Sequence, residues 1–230
     1  YNGKLFNSLE KLSKISKELP TLEKIIIINN IKSSKNDQLT IPMSIFYNDF
    51  ISNKPDPLIF EQLSFDHPLY ILYSSGTTGL PKSIVHSAGG TLIQHIKELK
   101  LHCDLKREDC IFYFSTCGWM MWNWLVSSLA IGSSIVLYDG SPFFPDKYNL
   151  WKMAEELKIS IFGTSAKFID ACKKNKIKPI NKNNLNSLNT ILSTGSTLSN
   201  ESFKYIYNNI KNDVLLGSIS GGTDIISCFA

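Results

Sequence analysis

Residues 68–87, PLYILYSSGTTGLPKSIVHS, run from an apolar, aromatic and β-branched segment into Ser, Thr and Gly, then close on a Lys and a second β-branched segment. An apolar run of this length bounded by turn residues reads as a buried strand feeding a loop. Within the loop, Gly76 and Gly79 let the backbone aim successive amides at one anion. Ser74, Ser75, Thr77 and Thr78 add hydroxyl donors, and Lys82 adds a mobile positive charge. The combination suits phosphate. A Walker loop needs G-x-x-x-x-G-K-[ST] running straight into a helix, whereas here Pro81 and the strand-like Ser83–His86 stand where the helix would begin. A conventional P-loop NTPase is therefore disfavoured. A plain polar turn is the competing reading, and the clustering of four hydroxyls, two glycines and a Lys behind a strand weakens it.

Outward from this loop the pattern alternates between periods of two and 3.6. Upstream, Leu5, Leu9, Leu12, Ile15 and Leu19 repeat at helical spacing up to Pro20, a short strand follows at 25–28, and residues 29–57 read as a loop-rich connection. Downstream, strand 69–73 and segment 83–86 precede a helix opened by Gly89 and Gly90 with Leu92, Ile93, Ile96 and Leu99 on one face. Then come strand 110–116, buried helix 119–131, strand 134–139, helix 148–158, strand 160–165, helix 165–174, strand 190–196, helix 199–210 and strand 214–220. Such alternation predicts an α/β fold with parallel β-α-β units and helices on both faces of the sheet. Ligands of such sheets bind at the carboxyl ends of strands. Three polar, glycine-containing tails, after 69–73, 190–193 and 214–217, are expected to converge there. His95 and His102 read as helix surface, and His86 as structural or pocket-lining.

Composition narrows the function classes. At 230 residues with 43% apolar and 19% charged side chains, the chain supports an ordinary globular core. Its formal charge of +4 is dispersed, without the basic stripe that nucleic acid would require. One Arg, Arg107, stands against twenty-three Lys. Anion binding must then rely on Lys, hydroxyls and backbone amides rather than bidentate Arg clamps. Five cysteines with no C-x-x-C pair point to reduced thiols and a cytoplasmic location. No apolar run reaches membrane-spanning length; the best candidate, WMMWNWLVSSLAIG, is interrupted by Asn123 and two serines.

YSSGTTGLPK at 73–82 resembles the signature of the AMP-forming acyl-CoA synthetases, a branch of the adenylate-forming superfamily. FEQLSFDHPLYILYSSGTTGLPKSIVHSAGGTLIQH at 60–95, FSTCGWMMWNWLVSSLAIGSSIVLYDGSPF at 114–143, ILSTGSTLS at 191–199 and SISGGTDIISCF at 218–229 are similar to its acetoacetate-specific members. The resemblance implies parallel-rich sheets flanked by helices, with residues 1–230 as a middle portion of the large N-terminal domain. The C-terminal domain and its adenylation Lys would lie past Ala230. It implies ATP, CoA and acetoacetate as substrates and Mg²⁺ as metal: the acid attacks the α-phosphorus to give an acyl-adenylate and pyrophosphate, and CoA then displaces AMP.

Residue by residue, the resemblance gives Ser74, Ser75, Gly76, Thr77, Thr78, Gly79 and Lys82 the β- and γ-phosphates. Thr223 takes the α-phosphate and Asp224 the Mg²⁺, where most of the superfamily has Glu. Gly195, Ser196 and Thr197 would lie along adenine, Thr197 standing where a Pro usually occurs. Trp119 would border the acyl pocket, and Gly221, matching a Trp of acetyl-CoA synthetases, would leave room for a longer acid. Lys82, Thr223 and Asp224 are the catalytic candidates. Another short- or medium-chain acyl-CoA synthetase and a non-catalytic nucleotide-binding remnant are the alternatives.

Overall fold

The computed structural model describes residues 1–29, 41–51, 54, 56–74 and 79–230. The chain divides into two compact units, one of Tyr1 and residues 3–62, the other of Asn2 and residues 63–230.

In the first unit, helix α1 spans Leu9–Lys17, shorter than its apolar spacing suggested. It begins once the Asn7 carboxamide accepts the Leu9 amide at 2.9 Å, and it ends ahead of Pro20. Strand β1, Ile25–Ile27, runs parallel to β2, Ser44–Phe46, and the short helix α2, Tyr47–Phe50, follows. Both β2 and α2 fall in the stretch that composition alone marked as loop.

The second unit opens with β3, Pro68–Ser74, and β4, Lys82–Ser87, paired antiparallel in a sheet of their own. The expected membership of 69–73 in the parallel sheet is therefore corrected. The connection from Ser74 to Lys82 is too short for a parallel crossover and permits only an antiparallel return. Nor is β3 buried on both sides: Tyr70 and Leu72 are half-buried while Leu69, Ile71 and Tyr73 point outward.

Helix α3, Ala88–Lys97, continues as a π-helical turn, Glu98–His102. Strand β5, Cys110–Tyr113, leads through helix α4, Met120–Ser127, and a 3₁₀ turn, Ser128–Ile131, to β6, Ser134–Val136. Helix α5, Asn149–Glu156, strand β7, Ile161–Ser165, helix α6, Ala166–Lys174, and a 3₁₀ turn, Pro179–Asn181, come next. Strand β8, Thr190–Thr194, helix α7, Asn200–Asn209, and strand β9, Leu215–Ser218, complete the series, before a hairpin of β10, Gly221–Gly222, and β11, Ser227–Cys228. The hairpin had no counterpart in the sequence reading.

Strands β5 to β9 form one all-parallel sheet in the order β6-β5-β7-β8-β9, as the alternation predicts. Both faces are covered. Phe112, Phe162 and Ile191 join Leu150, Trp151, Ile169 and Ile206 from α5, α6 and α7 in one core. Ile111, Tyr113, Ile161 and Leu192 face a second core with Leu99, Met121, Trp124 and Leu125. Ser165 and Ser199 cap α6 and α7 by accepting the Phe168 and Ser202 amides.

The face of α3 differs from its expected one. Leu92 and Ile93 are exposed, whereas Thr91, His95, Glu98 and Leu99 are buried. His95 is therefore not a surface residue.

Trp151 is fully buried and stacks on Phe162 at 4.7 Å between ring centroids. Trp151→Ala is expected to lower unfolding stability by about 3–5 kcal/mol, measured from the urea midpoint at unchanged slope.

Candidate functional site

The winding of the sheet reverses at β5, with β6 on one side and β7 to β9 on the other, and the carboxyl ends of β8 and β9 lie on the second side. Past Thr194, Gly195 takes φ +86°, a left-handed turn that frees Ser196 and Thr197 to solvent before Leu198 re-enters the core. A Cβ on Gly195 would stand 3.8 Å from the Trp119 ring, so the backbone here runs alongside the indole. The end of β9 is tied to that of β8, because Ile219 donates its amide to Ser193 at 2.7 Å and the Thr194 hydroxyl donates to the Ile219 carbonyl at 3.1 Å. Hairpin β10–β11 then carries Thr223 and Asp224 on its turn.

These elements enclose a cavity of about 590 Å³. It brings together Trp119, Gly195, Ser196, Thr197, Gly221 and Thr223, six of the residues singled out from sequence. Asp224 is exposed on the turn adjoining this lining. Ser74 and Lys82 are elsewhere, facing each other in register at the loop end of the β3–β4 hairpin, with Gly79 exposed in its connection. Of the three expected tails, two meet at the cavity. Ser75, Gly76, Thr77 and Thr78 lie outside the described residues.

Gly221 has a steric reason of its own. A Cβ there would come within 2.3 Å of the Ser227 carbonyl oxygen and 2.9 Å of Cys228 Cα, so the close approach of β11 requires glycine. Trp119 begins α4 and meets Tyr113 edge-on at 5.8 Å; Trp124 meets the same ring at 6.0 Å. Met121 and Trp124 are core residues, as their apolar helix suggests, and they also back the cavity.

The sequence reading passed over a polar cluster at the cavity's inner side. Glu98, 5% exposed, accepts from Trp124 Nε1 at 2.9 Å, from the Cys228 amide at 3.1 Å, from Gln94 Nε2 at 3.2 Å, and from the Ser227 hydroxyl. Burial alone would raise its carboxyl, but the bonds from Ser227, the Cys228 amide and Trp124 outweigh burial and hold it below the ordinary carboxylate range. Burial and the Glu98 charge push the neighbouring Cys103 thiol up to about 12, and the Cys228 thiol to about 11. Beside them, His95 bonds the Ile226 carbonyl through Nε2 at 3.1 Å and the Ser127 hydroxyl through Nδ1 at 2.8 Å. A carbonyl only accepts, so Nε2 carries a proton. The signal was present in the sequence as Thr91, His95 and Glu98 at helical spacing, a polar stripe as regular as the apolar one of Leu92, Ile96 and Leu99 beside it.

The family described as "AMP-binding enzyme" matches residues 4–217. "Acetoacetyl-CoA synthetase" of Danio rerio is 54% identical over 235 residues, covering 100% of this chain and 35% of that protein. "Acetoacetyl-coenzyme A synthetase" of Rhizobium meliloti (strain 1021) is 51% identical over 232 residues, with the same shares. Among solved structures, "Acetoacetyl-CoA Synthetase from Streptomyces lividans" superposes with a TM-score of 0.88 at 41% identity, covering 100% of this chain and 35% of that one. The chain thus spans about a third of the length of the relatives it matches.

Two outcomes follow from the hairpin and the cluster behind it. Gly221→Ala must displace backbone rather than a flexible side chain, and is expected to lower stability by about 1–3 kcal/mol, read from thermal unfolding. Burial pushes the His95 imidazole below its ordinary value of 6.5. The unfolded chain then binds the proton first, so stability falls as the pH drops below about 6.5 and is restored above it. His95→Gln is expected to flatten that part of the stability profile between pH 7 and pH 5, checked by urea titrations across the range.

Proposed function

The chain belongs to the AMP-binding enzyme family, and from that premise we propose that it forms part of the nucleotide-binding domain of an AMP-forming acetoacetate–CoA ligase. In this reading the enzyme joins acetoacetate to AMP with release of pyrophosphate, and CoA thiol then displaces AMP. The observation that carries it is that Trp119, Gly195, Ser196, Thr197, Gly221 and Thr223 line one and the same cavity. Adenylation needs an acid and the α-phosphate of ATP held together and in line, which a shared cavity provides. The printed names of the full-length relatives support acetoacetate as the acid.

We assign the residues as follows. The turn after β8, Gly195 to Thr197, offers a flat backbone edge beside Trp119 on which adenine can lie. Thr223, in the cavity lining, bonds the α-phosphate through its hydroxyl. Trp119 and the glycine backbone at 221 bound the acyl end. Ser74 and Lys82, with Ser75, Gly76, Thr77, Thr78 and Gly79 between them, hold the β- and γ-phosphates; a hairpin end bearing one Lys suits a leaving polyphosphate.

Among the described residues no three His, Cys, Asp or Glu side chains cluster as a protein-built metal cage would require. Magnesium fits nevertheless, because it is commonly held by one or two carboxylates together with substrate phosphates. Asp224, exposed beside Thr223, is the carboxylate that would hold it, and the ion would neutralise phosphate charge. A cytoplasmic setting accords with five free thiols, and among the described residues no helix is long and apolar enough to cross a membrane.

The deciding measurement is acid-dependent exchange of pyrophosphate into ATP by the full-length protein. Acetoacetate is expected to support exchange at least tenfold better than acetate or butyrate, a ratio within reach of pocket discrimination. Equal rates with all three acids would remove acetoacetate and leave a general short-chain acyl-CoA synthetase.

A further inference from the structure

The cavity contains one carboxylate side chain, Glu98, and neither Lys nor Arg among the described residues that line it. The Glu98 carboxylate does not belong to any reaction step above. It is buried to 5% exposure and held by neutral donors: the Trp124 indole, the Ser227 hydroxyl, the Cys228 amide and the Gln94 carboxamide. Lys97 is the nearest cation, with Nζ at 3.9 Å and its side chain 38% exposed. It pairs with the carboxylate from outside the cavity lining. Of the other titratable groups that line the cavity, Cys103 and Cys228 keep their protons because burial raises both thiols, and His102 is exposed. Among the described residues the cavity lining therefore offers one buried carboxylate and no Lys or Arg to pair with a second one.

We propose that Glu98 is a specificity-determining residue that restricts this site to acids carrying a neutral β-carbonyl group and rejects those carrying a second carboxylate. The inference rests on the functional reading above, since it requires the acid to enter this cavity. Acetoacetate and malonamate end in methyl and amide groups on the same β-carbonyl, and malonate places a carboxylate in the same volume. The three acids match in length and shape, so charge is the variable that separates them. A buried anion disfavours the dianion by like-charge repulsion, and no Lys or Arg among the described lining residues offsets the loss of its water. Glu98 acts on selection and not on the bond-making steps.

The test is pyrophosphate exchange by the full-length protein with each of the three acids, for the natural sequence, Glu98→Gln and Glu98→Asp. The natural protein should use acetoacetate and malonamate and show kcat/KM for malonate at least about tenfold below malonamate. Glu98→Gln should narrow that gap about tenfold by lowering the KM for malonate, a gain that loss of structure cannot produce. Glu98→Asp, which keeps the charge, should keep the gap. An amide nitrogen facing the Trp124 N–H removes one acceptor, so if Glu98→Gln does not fold, Glu98→Gln combined with Trp124→Phe takes its place. An unchanged gap in the charge-free variant overturns the proposal. So does equal use of malonate and malonamate by the natural protein, a measurement that needs no variant. Exchange with acetate or butyrate and with none of the three β-carbonyl acids would instead remove the functional reading on which the proposal stands.

Discussion

The pleat of three neighbouring strands decides where this chain can do chemistry. Ile111, Ile161 and Leu192 point to one side of the sheet while Phe112, Phe162 and Ile191 point to the other, and helices seal both faces. No polar site can open through such a sheet without leaving backbone or side-chain groups unsatisfied. Binding groups are confined to the strand ends, and the strand order places the usable ends around β5, β7, β8 and β9. One side chain links this core to the cavity. Tyr113 lies across Gly163, where a Cβ would come within 2.0 Å of its ring, and it presents its edges to both Trp119 and Trp124. The aromatic wall is thus supported by a glycine two strands' width from solvent.

The parts legible from sequence are those governed by local periodicity. Alternating β-branched and helical segments, together with Ser165 and Ser199 ahead of α6 and α7, were enough to predict a parallel sheet with helices on both faces. Pairing partners are another matter, because the run 69–73 looks alike whether its neighbour is parallel or antiparallel. Only the shortness of the link to Lys82 distinguishes them, and that link had been read for its phosphate chemistry. Hairpin β10–β11 escaped because two-residue strands carry no period at all. The buried face of α3 escaped for an opposite reason: Leu92 and Ile93 are apolar but exposed, and Thr91, His95 and Glu98 are polar but buried. Hydrophobicity locates a helix face only where the neighbouring surface is apolar, and here the neighbour is a polar hairpin.

A buried carboxylate is a costly element, and it persists only where its charge is well satisfied. Glu98 meets that condition without an internal cation, through hydroxyl, amide and indole donors converging on two oxygens. The four donors come from three elements, Gln94 from α3, Trp124 from α4, and Ser227 and Cys228 from β11, so the network ties α4 and β11 to one helix. His95 adds a second tie by way of the Ile226 carbonyl. Isolated two-stranded ribbons are marginal in water, and β10–β11 is far shorter than most. It holds its place through side chains about 130 positions earlier in the chain, as the sequence separations of these bonds show.

Steric and polar constraints then act on the same hairpin from opposite sides. Gly221 lets the Ser227 backbone approach to a distance no side chain would allow, and Glu98 holds Ser227 and Cys228 from behind. Neither constraint alone would set the turn. Close backbone approach without the carboxylate leaves β11 free to slide, and the carboxylate without glycine at 221 would hold β11 away from β10. With both, the turn bearing Thr223 and Asp224 is set at the cavity edge. A site built this way owes its geometry to a glycine and a buried acid that no loop signature would have singled out together.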